Sequence, residues 1–322
     1  MKGKRALLII NPISGTRSKE GLIGLVKDSL KGKGIKVTAK LTAAAGDAGK
    51  IASEGVKEGF DLVISAGGDG TVNDIATAVA HTGVPLGILP YGSGNGLARS
   101  LGIPQDTVEA LKIIKKGHIF NCDRGIANNH PFYCTFGIGF DAAVSEMFAS
   151  MKRRGRITYI RSVFREFLKY QSEPYAISIG GKVMTEKAFL IAVCNAPQYG
   201  NNAYIAPKAK LSDGFLDITM VHSGSPLLTM MMGVDLLTGY IDRNTKIETF
   251  RVDGATIARL KAGAVHIDGE PAVMGKHIDV KCDPKALLVF APVHEEEFTP
   301  IVSPLRAMLN DMRYDVMAKF RK

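Results

Sequence analysis

The stretch Asp61-Leu-Val-Ile-Ser-Ala-Gly-Gly-Asp-Gly-Thr-Val-Asn-Asp74 decides the fold of this chain. Its apolar residues 62–64 predict a short buried strand, three glycines interrupt that strand, and a helical pattern follows. Thr71 is placed to cap the helix, and Asp74 completes a capping box. A strand that leads through glycines into a helix offers free backbone N–H groups and a positive dipole end to an anion.

Asp69 lies in the middle of this glycine turn. An acid in that position repels a bare phosphate, so it indicates a bound metal ion, a bound water or a role in fixing the loop. A nucleotide bound together with Mg²⁺ reconciles the acid with an anion site. Asp69 could instead be a turn former that bonds to its own backbone.

The first 120 or so residues alternate strand and helix patterns. Asp47 is expected to cap one helix, and Asp106 with Glu109 forms a capping box at the start of another. This alternation predicts a doubly wound α/β domain with a parallel sheet, whose ligands bind at the carboxyl ends of the strands.

The pattern changes near residue 118. Residues 119–127 and 132–136 predict a hairpin, and short strands separated by turns then continue to residue 290, with helical patterns over 142–170 and 227–240. We therefore expect a mostly antiparallel, β-sandwich-like C-terminal domain. The predicted domains are 1–122 and 123–292, with the helical tail 293–322 packing back on the first. Because no linker separates the halves, a cleft between them is the expected active site.

The composition limits the classes of partner and the cellular environment that we expect for this protein. The 322 residues carry a formal net charge of +10, with a pI of about 9.3, which favours a nucleotide or an anionic membrane surface as partner. Nucleic acid is disfavoured because no Cys/His finger spacing occurs. Four scattered cysteines argue against zinc and disulfides and fit a reducing cytosol. No apolar run approaches the roughly 20 residues that span a bilayer, so a cytoplasmic, at most peripheral, protein is expected.

Three glycine-rich turns follow successive predicted strands: Asn11-Pro-Ile-Ser-Gly15, Gly67-Gly-Asp-Gly-Thr71 and Gly92-Ser-Gly-Asn-Gly96. Each alone predicts no more than a strand-to-helix connection. Three of them at one edge of a sheet indicate a shared binding site. The Walker A pattern is absent, and the dinucleotide fingerprint does not fit, because it belongs after the first strand.

These motifs resemble the diacylglycerol kinase and sphingosine kinase family. Asn11-Pro12 with Ser14-Gly15, the Gly67–Thr71 turn with Asn73, and Pro90-Tyr-Gly-Ser-Gly-Asn95 correspond to its catalytic domain. The motifs Gly137-Ile-Gly-Phe-Asp141, Leu211-Ser-Asp-Gly-Phe-Leu-Asp217 and Asp268-Gly-Glu270 follow in the family's order. The resemblance extends to about residue 292 and is strongest to the small bacterial lipid kinases. It implies a first domain like that of NAD kinases and phosphofructokinases, which share the middle turn.

The resemblance implies roles for individual residues. Asp69 and Glu270 are the implied catalytic residues: Asp69 lies near Mg²⁺, and Glu270 is the general base that takes a proton from a lipid hydroxyl. On spacing alone, Asp268-Gly-Glu270 predicts a β-hairpin turn. The implied ATP contacts are Asn11, Thr42, Gly67, Gly68, Asp69, Gly70, Thr71, Val72, Asn73, Ser93 and Asn95.

The C-terminal motifs imply two further sites. In the bacterial relatives the segment around Asp213 binds a structural Mg²⁺, here with the backbone carbonyls of Lys210 and Phe215. A solvated Asp-Gly turn is the alternative. Asp141 corresponds to a region that contacts the lipid head group in sphingosine kinases, and it could instead cap the following helix.

Two basic helical patterns could contact a membrane. Arg161, Arg165 and Lys169 form an i, i+4 stripe among apolar residues, and such a helix can lie on anionic lipid. The commoner alternative is a helix with one face in the core and the other in water. The tail 303–322 could likewise lie on lipid or pack one face against the protein, and it could also form a contact in a homodimer.

The resemblance therefore implies an ATP- and Mg²⁺-dependent lipid kinase that phosphorylates a primary hydroxyl of diacylglycerol or a related lipid. A sphingoid base is the second choice of acceptor. Two other classes stay open: a soluble-substrate kinase such as an NAD kinase, and a non-catalytic nucleotide- or lipid-binding protein.

Overall fold

The computed structural model describes residues 3–15, 17–150, 170–199, 203–222, 235 and 246–293. The basic stripe at 161–169, most of the helical pattern at 227–240 and the tail from 294 onwards lie outside the described residues. Within the described part of the chain, no helix is both long enough and apolar enough to cross a membrane.

The first part of the chain is an α/β unit, as predicted. Its elements are β1 (Arg5–Ile10), α1 (Leu22–Lys31), β2 (Lys36–Leu41), α2 (Asp47–Lys57), β3 (Leu62–Gly67), α3 (Asp69–Val79), β4 (Leu86–Pro90), α4 (Gly96–Ser100) and α5 (Thr107–Lys116). The strands pair in parallel in the order β4-β3-β1-β2. Every residue of β3 and β4 is buried, as expected for central parallel strands covered on both faces.

The second part is mostly antiparallel, again as predicted. Its elements are β5 (Ile119–Ala127), β6 (His130–Phe132), β7 (Thr135–Gly139), α6 (Phe140–Ser150), β8 (Glu173–Ile179), β9 (Lys182–Cys194), β10 (Leu216–His222), β11 (Ile247–Val252), β12 (Gly254–Arg259), β13 (Gly263–Ile267), β14 (Glu270–Met274) and β15 (His277–Phe290). The strands from β14 to β15 follow the order β14-β13-β7-β9-β8-β12-β15.

Among the described residues, the long strand β15 joins the two parts into one 15-stranded sheet. Its far end pairs in parallel with β4, where Val289 lies opposite Leu86, while most of its length pairs with β5 and β12. Two main apolar cores result, one around the parallel strands and their helices and one among the antiparallel strands.

Two of the three predicted helix caps are wrong. Helix α3 begins at Asp69 with Gly68 as its N-cap residue, so Thr71 already lies inside the first turn. Helix α2 begins at Asp47 itself, whose carboxylate accepts hydrogen bonds from the preceding N–H groups of Ala43 and Ala44. The third is confirmed: Asp106 accepts from the N–H groups of Val108 and Glu109.

The predicted strand 132–136 is interrupted. Strand β6 ends at Phe132 and β7 begins at Thr135, with Tyr133 and Cys134 between them. The backbone N–H groups of Tyr133, Cys134 and Thr135 all point at one carboxylate from a distant turn, that of Asp268. The apolar pattern predicts one continuous strand here, but hydrogen bonds to a distant carboxylate stabilise an interruption between β6 and β7.

Candidate active site

The carboxyl ends of the parallel strands bring the first predicted site residues together. Asn11 follows β1 and donates its backbone N–H to the Ala66 carbonyl of β3 at 3.0 Å. Its side-chain Nδ2 donates to Thr71 Oγ1 at 3.0 Å. Thr42 follows β2 and donates its N–H to the Ile10 carbonyl at 3.0 Å. Asn11, Thr42 and Thr71 therefore lie along one edge of the sheet, as the sequence predicts.

The three glycine turns are packed against one another. A Cβ atom added at Gly15, whose φ is +65°, would lie 1.7 Å from the Tyr91 carbonyl oxygen. A Cβ atom at Gly92 would lie 2.6 Å from the Cα atom of Gly68. Only glycine allows such close approach of backbones. The turns form one continuous backbone surface, to which Gly67, Gly68 and Gly70 belong.

Asp69 ties the second turn to the third. Its Oδ2 accepts from the Asn95 N–H at 2.8 Å and its Oδ1 from the Gly96 N–H at 2.6 Å. Burial raises the pKa of Asp69, these two hydrogen bonds oppose that rise, and the charge of Asp268 adds to it. The structure thus supports the loop-fixing role of Asp69 that the sequence left open beside a metal-binding one.

Asn95 shapes the third turn. It adopts the left-handed conformation with φ of +53°, which asparagine tolerates better than most residues. Its Oδ1 accepts from the Gly92 N–H at 2.8 Å, and its Nδ2 donates to the carbonyl of Gly92 and to Gln105 Oε1. The neighbouring Ser93 is exposed, whereas Val72 packs into the core beneath the second turn.

Asp268 holds the Asp268-Gly-Glu270 turn against the rest of the protein. Its carboxylate accepts from the N–H groups of Tyr133, Cys134 and Thr135, at 2.9, 2.7 and 3.0 Å respectively. It also accepts from Asn73 Nδ2 at 2.7 Å, which links the turn to α3. Burial raises the pKa of Asp268, while these four hydrogen bonds oppose the rise.

Glu270 lies beside the second glycine turn. A Cβ atom at Gly70 would lie 3.3 Å from Glu270 Oε1, although the two residues are far apart in sequence. Glu270 is exposed and lines a cleft of about 910 Å³ between α2 and α3 on one side and the β13–β14 hairpin on the other. Gly70, Asn73 and Asp74 line the opposite wall. The hairpin turn predicted from spacing is confirmed, because β13 and β14 pair antiparallel across it.

Asp141 is engaged by side chains that the sequence interpretation did not single out. Its Oδ2 contacts His266 Nε2 and Tyr199 Oη, each at 3.1 Å, and its Oδ1 accepts from the Ala142 N–H at 2.8 Å. His266 is fully buried on β13, two residues before Asp268. Helix α6 begins at Phe140, so Asp141 lies inside its first turn, and the alternative in which Asp141 caps this helix is wrong.

The predicted second metal site lies on the segment before β10. Asp213 Oδ1 accepts from the Phe215 N–H at 3.1 Å, and its Oδ2 lies 3.3 Å from Arg251 Nη1. A metal ion held by Asp213 with the carbonyls of Lys210 and Phe215 would therefore compete with Arg251 for the carboxylate. In the described residues, no group of three or more His, Cys, Asp or Glu side chains is arranged to hold a metal ion.

Three charged residues escaped the sequence interpretation, and two of them lie beside the glycine turns. The guanidinium of Arg17 lies 4.7 Å from the Tyr91 ring centre and the ammonium of Lys19 lies 4.9 Å from it, beside the first and third turns. Asp123 is fully buried, and its carboxylate accepts from the N–H groups of Gly214 and Lys285. The sequence does indicate Arg17 and Lys19, because they follow directly after a glycine turn. No local pattern indicates Asp123.

The arrangement combines the parts that phosphoryl transfer requires. A surface of backbone N–H groups at the start of α3 suits phosphate oxygens. Cationic side chains lie at its edge, and a solvent-accessible carboxylate lies beside it at the mouth of a cleft. Positioning and charge neutralisation are the main demands of this reaction.

Comparisons with known protein families agree with this geometry. Residues 5–126 match the diacylglycerol kinase catalytic domain. Residues 135–291 match the YegS C-terminal NAD kinase beta sandwich-like domain. The two matches cover the parallel and the antiparallel parts of the sheet in turn, so the two-domain α/β and β-sandwich-like prediction is confirmed.

Individual relatives match from about two thirds to nine tenths of the chain. A diacylglycerol kinase from Staphylococcus aureus strain JH9 is 30% identical over 228 residues, which are 69% of this chain and 72% of the relative. A diacylglycerol kinase from Mycobacterium tuberculosis H37Rv is 28% identical over 298 residues, covering 89% and 94%. A Bacillus anthracis crystal structure, of a protein proposed to be a diacylglycerol kinase, superposes with a TM-score of 0.75 at 26% identity, covering 90% of this chain and 98% of that one. This chain belongs to the diacylglycerol kinase family of lipid kinases.

Proposed function

We propose that this protein transfers the γ-phosphate of ATP, in the presence of Mg²⁺, to a primary hydroxyl of diacylglycerol or a related lipid. The observation that carries the proposal is the position of Glu270. Its carboxylate lies beside Gly70, at the turn proposed to bind phosphate, and it also lines the cleft. A hydroxyl entering the cleft could therefore meet both a base and a bound phosphate.

The nucleotide is proposed to lie along the packed glycine turns. Backbone N–H groups at the start of α3 face its phosphates, and Asn11, Thr42 and Thr71 line the same strand edge. Gly67, Gly68, Gly70 and Gly92 allow close approach because they carry no side chain. Ser93 is exposed at the third turn and free to meet the nucleotide.

A magnesium ion fits this site only as a partner of the nucleotide. Mg²⁺ usually binds through one or two carboxylates together with substrate phosphates and water. Asp69 is the carboxylate at the turn, although both of its oxygens already accept backbone hydrogen bonds. When bound, the ion would neutralise charge on the transferring phosphoryl group. The Asp213 site is proposed only as a second, structural position, in competition with Arg251.

Glu270 is proposed as the general base that takes the proton of the lipid hydroxyl. A candidate base must come within hydrogen-bond reach of that proton, and the exposure of the Glu270 carboxylate in the cleft supports this role. Asp268 keeps the preceding turn in place through its four hydrogen bonds. Asp268 thus acts on the reaction through the position of Glu270.

The working site of the enzyme is proposed to be the membrane surface. A net charge of +10 favours peripheral binding to anionic lipid from the cytoplasmic side. We also propose the division into domains 1–122 and 123–292, with the cleft between them as the acceptor site. A homodimer stays a hypothesis that the sequence of the tail suggests.

The test of substrate is a panel of acceptors with γ-labelled ATP. Diacylglycerol, sphingosine, ceramide and phosphatidylglycerol are presented in mixed micelles, with NAD as the soluble alternative and Mg²⁺ present or chelated. We expect label in diacylglycerol or a related glycerolipid and none after chelation. Label in NAD alone would replace the lipid assignment by a soluble-substrate kinase.

The test of mechanism is Glu270→Gln. Removal of a general base should lower kcat by about 10²- to 10⁴-fold, while ATP binding stays within about 2-fold of wild type. Glu186→Gln, at an exposed position on β9, is the matched control and should keep full activity. Full activity of Glu270→Gln with the cognate lipid would show that Glu270 is not the base.

A further inference from the structure

We propose that His266 is a positioning residue that fixes the Asp268-Gly-Glu270 turn through Gly269 and so aims Glu270 at the glycine turns. This inference rests on the proposed function, in which Glu270 is the general base. His266 is fully buried, and both of its ring nitrogens have partners. Nothing in the turn motif itself identifies it.

The contacts of His266 run from the helix α6 to the turn. Its Nδ1 accepts from the Gly269 N–H at 3.3 Å, and its Nε2 lies 3.1 Å from Asp141 Oδ2. Asp141 in turn contacts the Tyr199 hydroxyl at 3.1 Å. A chain of polar groups therefore links α6 to the residue immediately before Glu270.

These contacts fix the tautomer of the imidazole. A nitrogen that accepts from an N–H group carries no proton, so Nδ1 is bare and Nε2 carries the hydrogen. The Nε2–H then donates to the Asp141 carboxylate. A carboxylate that orients a histidine in this way determines which nitrogen stays free for the second contact.

The backbone around His266 leaves room for this arrangement only because Gly137 lies opposite it. His266 pairs with Gly137 across β13 and β7. A Cβ atom at Gly137 would lie 2.2 Å from His266 Nε2 and 2.1 Å from Asp141 Oδ2. The glycine in the Gly137-Ile-Gly-Phe-Asp141 motif thus makes space for the contact between the two side chains.

The turn needs such support on its Gly269 side. Asp268 and Gly269 both adopt positive φ angles, +50° and +86°, and the backbone of an aspartate is strained there. The Asp268 carboxylate fixes the turn on one side through four hydrogen bonds, and His266 fixes it on the other through Gly269. Glu270 follows directly, so movement of Gly269 would displace its carboxylate.

Two substitutions separate the two contacts of the ring. In His266→Asn the amide oxygen falls near the position of Nδ1 and can accept from Gly269. In His266→Gln the amide nitrogen falls near the position of Nε2 and contacts only Asp141. We expect His266→Gln to lower kcat about 10-fold with the lipid and ATP affinities unchanged, and His266→Asn to stay within about 3-fold of wild type. His277→Gln, on the exposed start of β15, is the control and should behave as wild type.

Amide hydrogen exchange at Gly269 tests the contact without reference to activity. Exchange should speed up about 10-fold in His266→Gln and stay near the wild-type rate in His266→Asn. Equal losses of kcat in the two variants, or unchanged Gly269 exchange in His266→Gln, would overturn the proposal. If the wild-type protein phosphorylates no acceptor of the panel, the proposed function fails, and the exchange rates still decide whether His266 holds the turn.

The same experiment separates this role of Asp141 from direct contact with a lipid head group. Asp141→Asn keeps an oxygen that can accept from His266 Nε2–H, so kcat, Gly269 exchange and the apparent affinity for lipid should all stay within about 3-fold of wild type. If the variant kept the wild-type Gly269 exchange rate but bound lipid at least 5-fold more weakly, Asp141 would be a lipid-binding residue, and its role as the support of His266 would be overturned.

Discussion

Asp69 and Asp268 are acids in glycine-containing turns, and each uses its carboxylate to hold backbone N–H groups from another segment. Asp69 receives two such groups from the third glycine turn, and Asp268 receives three from residues 133–135. Burial raises the pKa of both carboxylates. Their first task is therefore to join loops, and any contact with metal is added to that task.

Asp283 is the residue at which protonation should be visible in stability. His81 Nε2 and Arg124 Nε contact Asp283 Oδ2 at 2.9 and 2.8 Å, tying the end of α3 and the strand β5 to β15. Burial would raise the pKa of Asp283, but the hydrogen bonds from His81 and Arg124 outweigh it and lower the pKa below its ordinary value.

The sign of the effect follows from that lowered pKa. The stability that Asp283 contributes is present above the unfolded-state pKa of about 3.9 and is lost as pH falls through the folded-state pKa. Asp283→Asn should lower the free energy of unfolding by about 1 kcal/mol at pH 5 and by less at pH 3, measured by urea denaturation. Asp28→Asn, an exposed acid on α1, should change little at either pH. A loss that grows towards pH 3 would contradict the assignment.

At the scale of elements, the sequence predicts the strands and helices well and their ends poorly. The periodic apolar residues of β3 and α3 are local properties, and the alternation of strand and helix follows from them. The spacing of Thr71 to Asp74 predicts a cap at Thr71, but the helix begins two residues earlier, at Asp69, which forms hydrogen bonds with the third turn. These hydrogen bonds come from a distant segment of the chain, so no local sequence pattern can predict them.

The contact between the second and third turns gives a prediction about elements. Gly92→Ala places a Cβ atom 2.6 Å from the Cα atom of Gly68, so the two turns must separate. We expect nucleotide affinity to fall at least 10-fold and the protein to lose about 1–3 kcal/mol of stability. Titration calorimetry with an ATP analogue and urea denaturation measure the two effects.

Gly24→Ala is the matched control for Gly92→Ala. Gly24 lies on the exposed face of α1, where an added Cβ atom meets nothing within 4 Å. Alanine favours a helix over glycine by about 1 kcal/mol, so this variant should be slightly more stable and bind nucleotide normally. Normal nucleotide affinity in Gly92→Ala would mean that the contact between the turns does not shape the nucleotide site.

At the scale of the whole molecule, the candidate site divides into a part that the sequence predicts and a part that it does not. Asn11, Gly67 and Asn95 could be placed together because the ends of parallel strands share one edge of a sheet. The sequence could not place Asp141 beside His266, because their contact depends on the pairing of β13 with β7. The family resemblance alone predicts the role of Glu270, and its position beside Gly70 depends on the same long-range pairing.

The net charge of +10 makes the proposed membrane binding a property of the whole chain, and salt should therefore control it. The Debye length falls from about 30 Å at 0.01 M salt to about 8 Å at 0.15 M, so binding to anionic vesicles should weaken several-fold over that range. Sedimentation with phosphatidylcholine vesicles, with and without phosphatidylserine, measures the fraction of protein bound at each salt concentration.

Charge reversal at Arg161 and Arg165, within the basic stripe of the sequence, should weaken vesicle binding more than reversal at Lys27 and Lys31 on the exposed face of α1. Equal losses from the two pairs would mean that overall charge, and not the stripe, attracts the protein to the membrane.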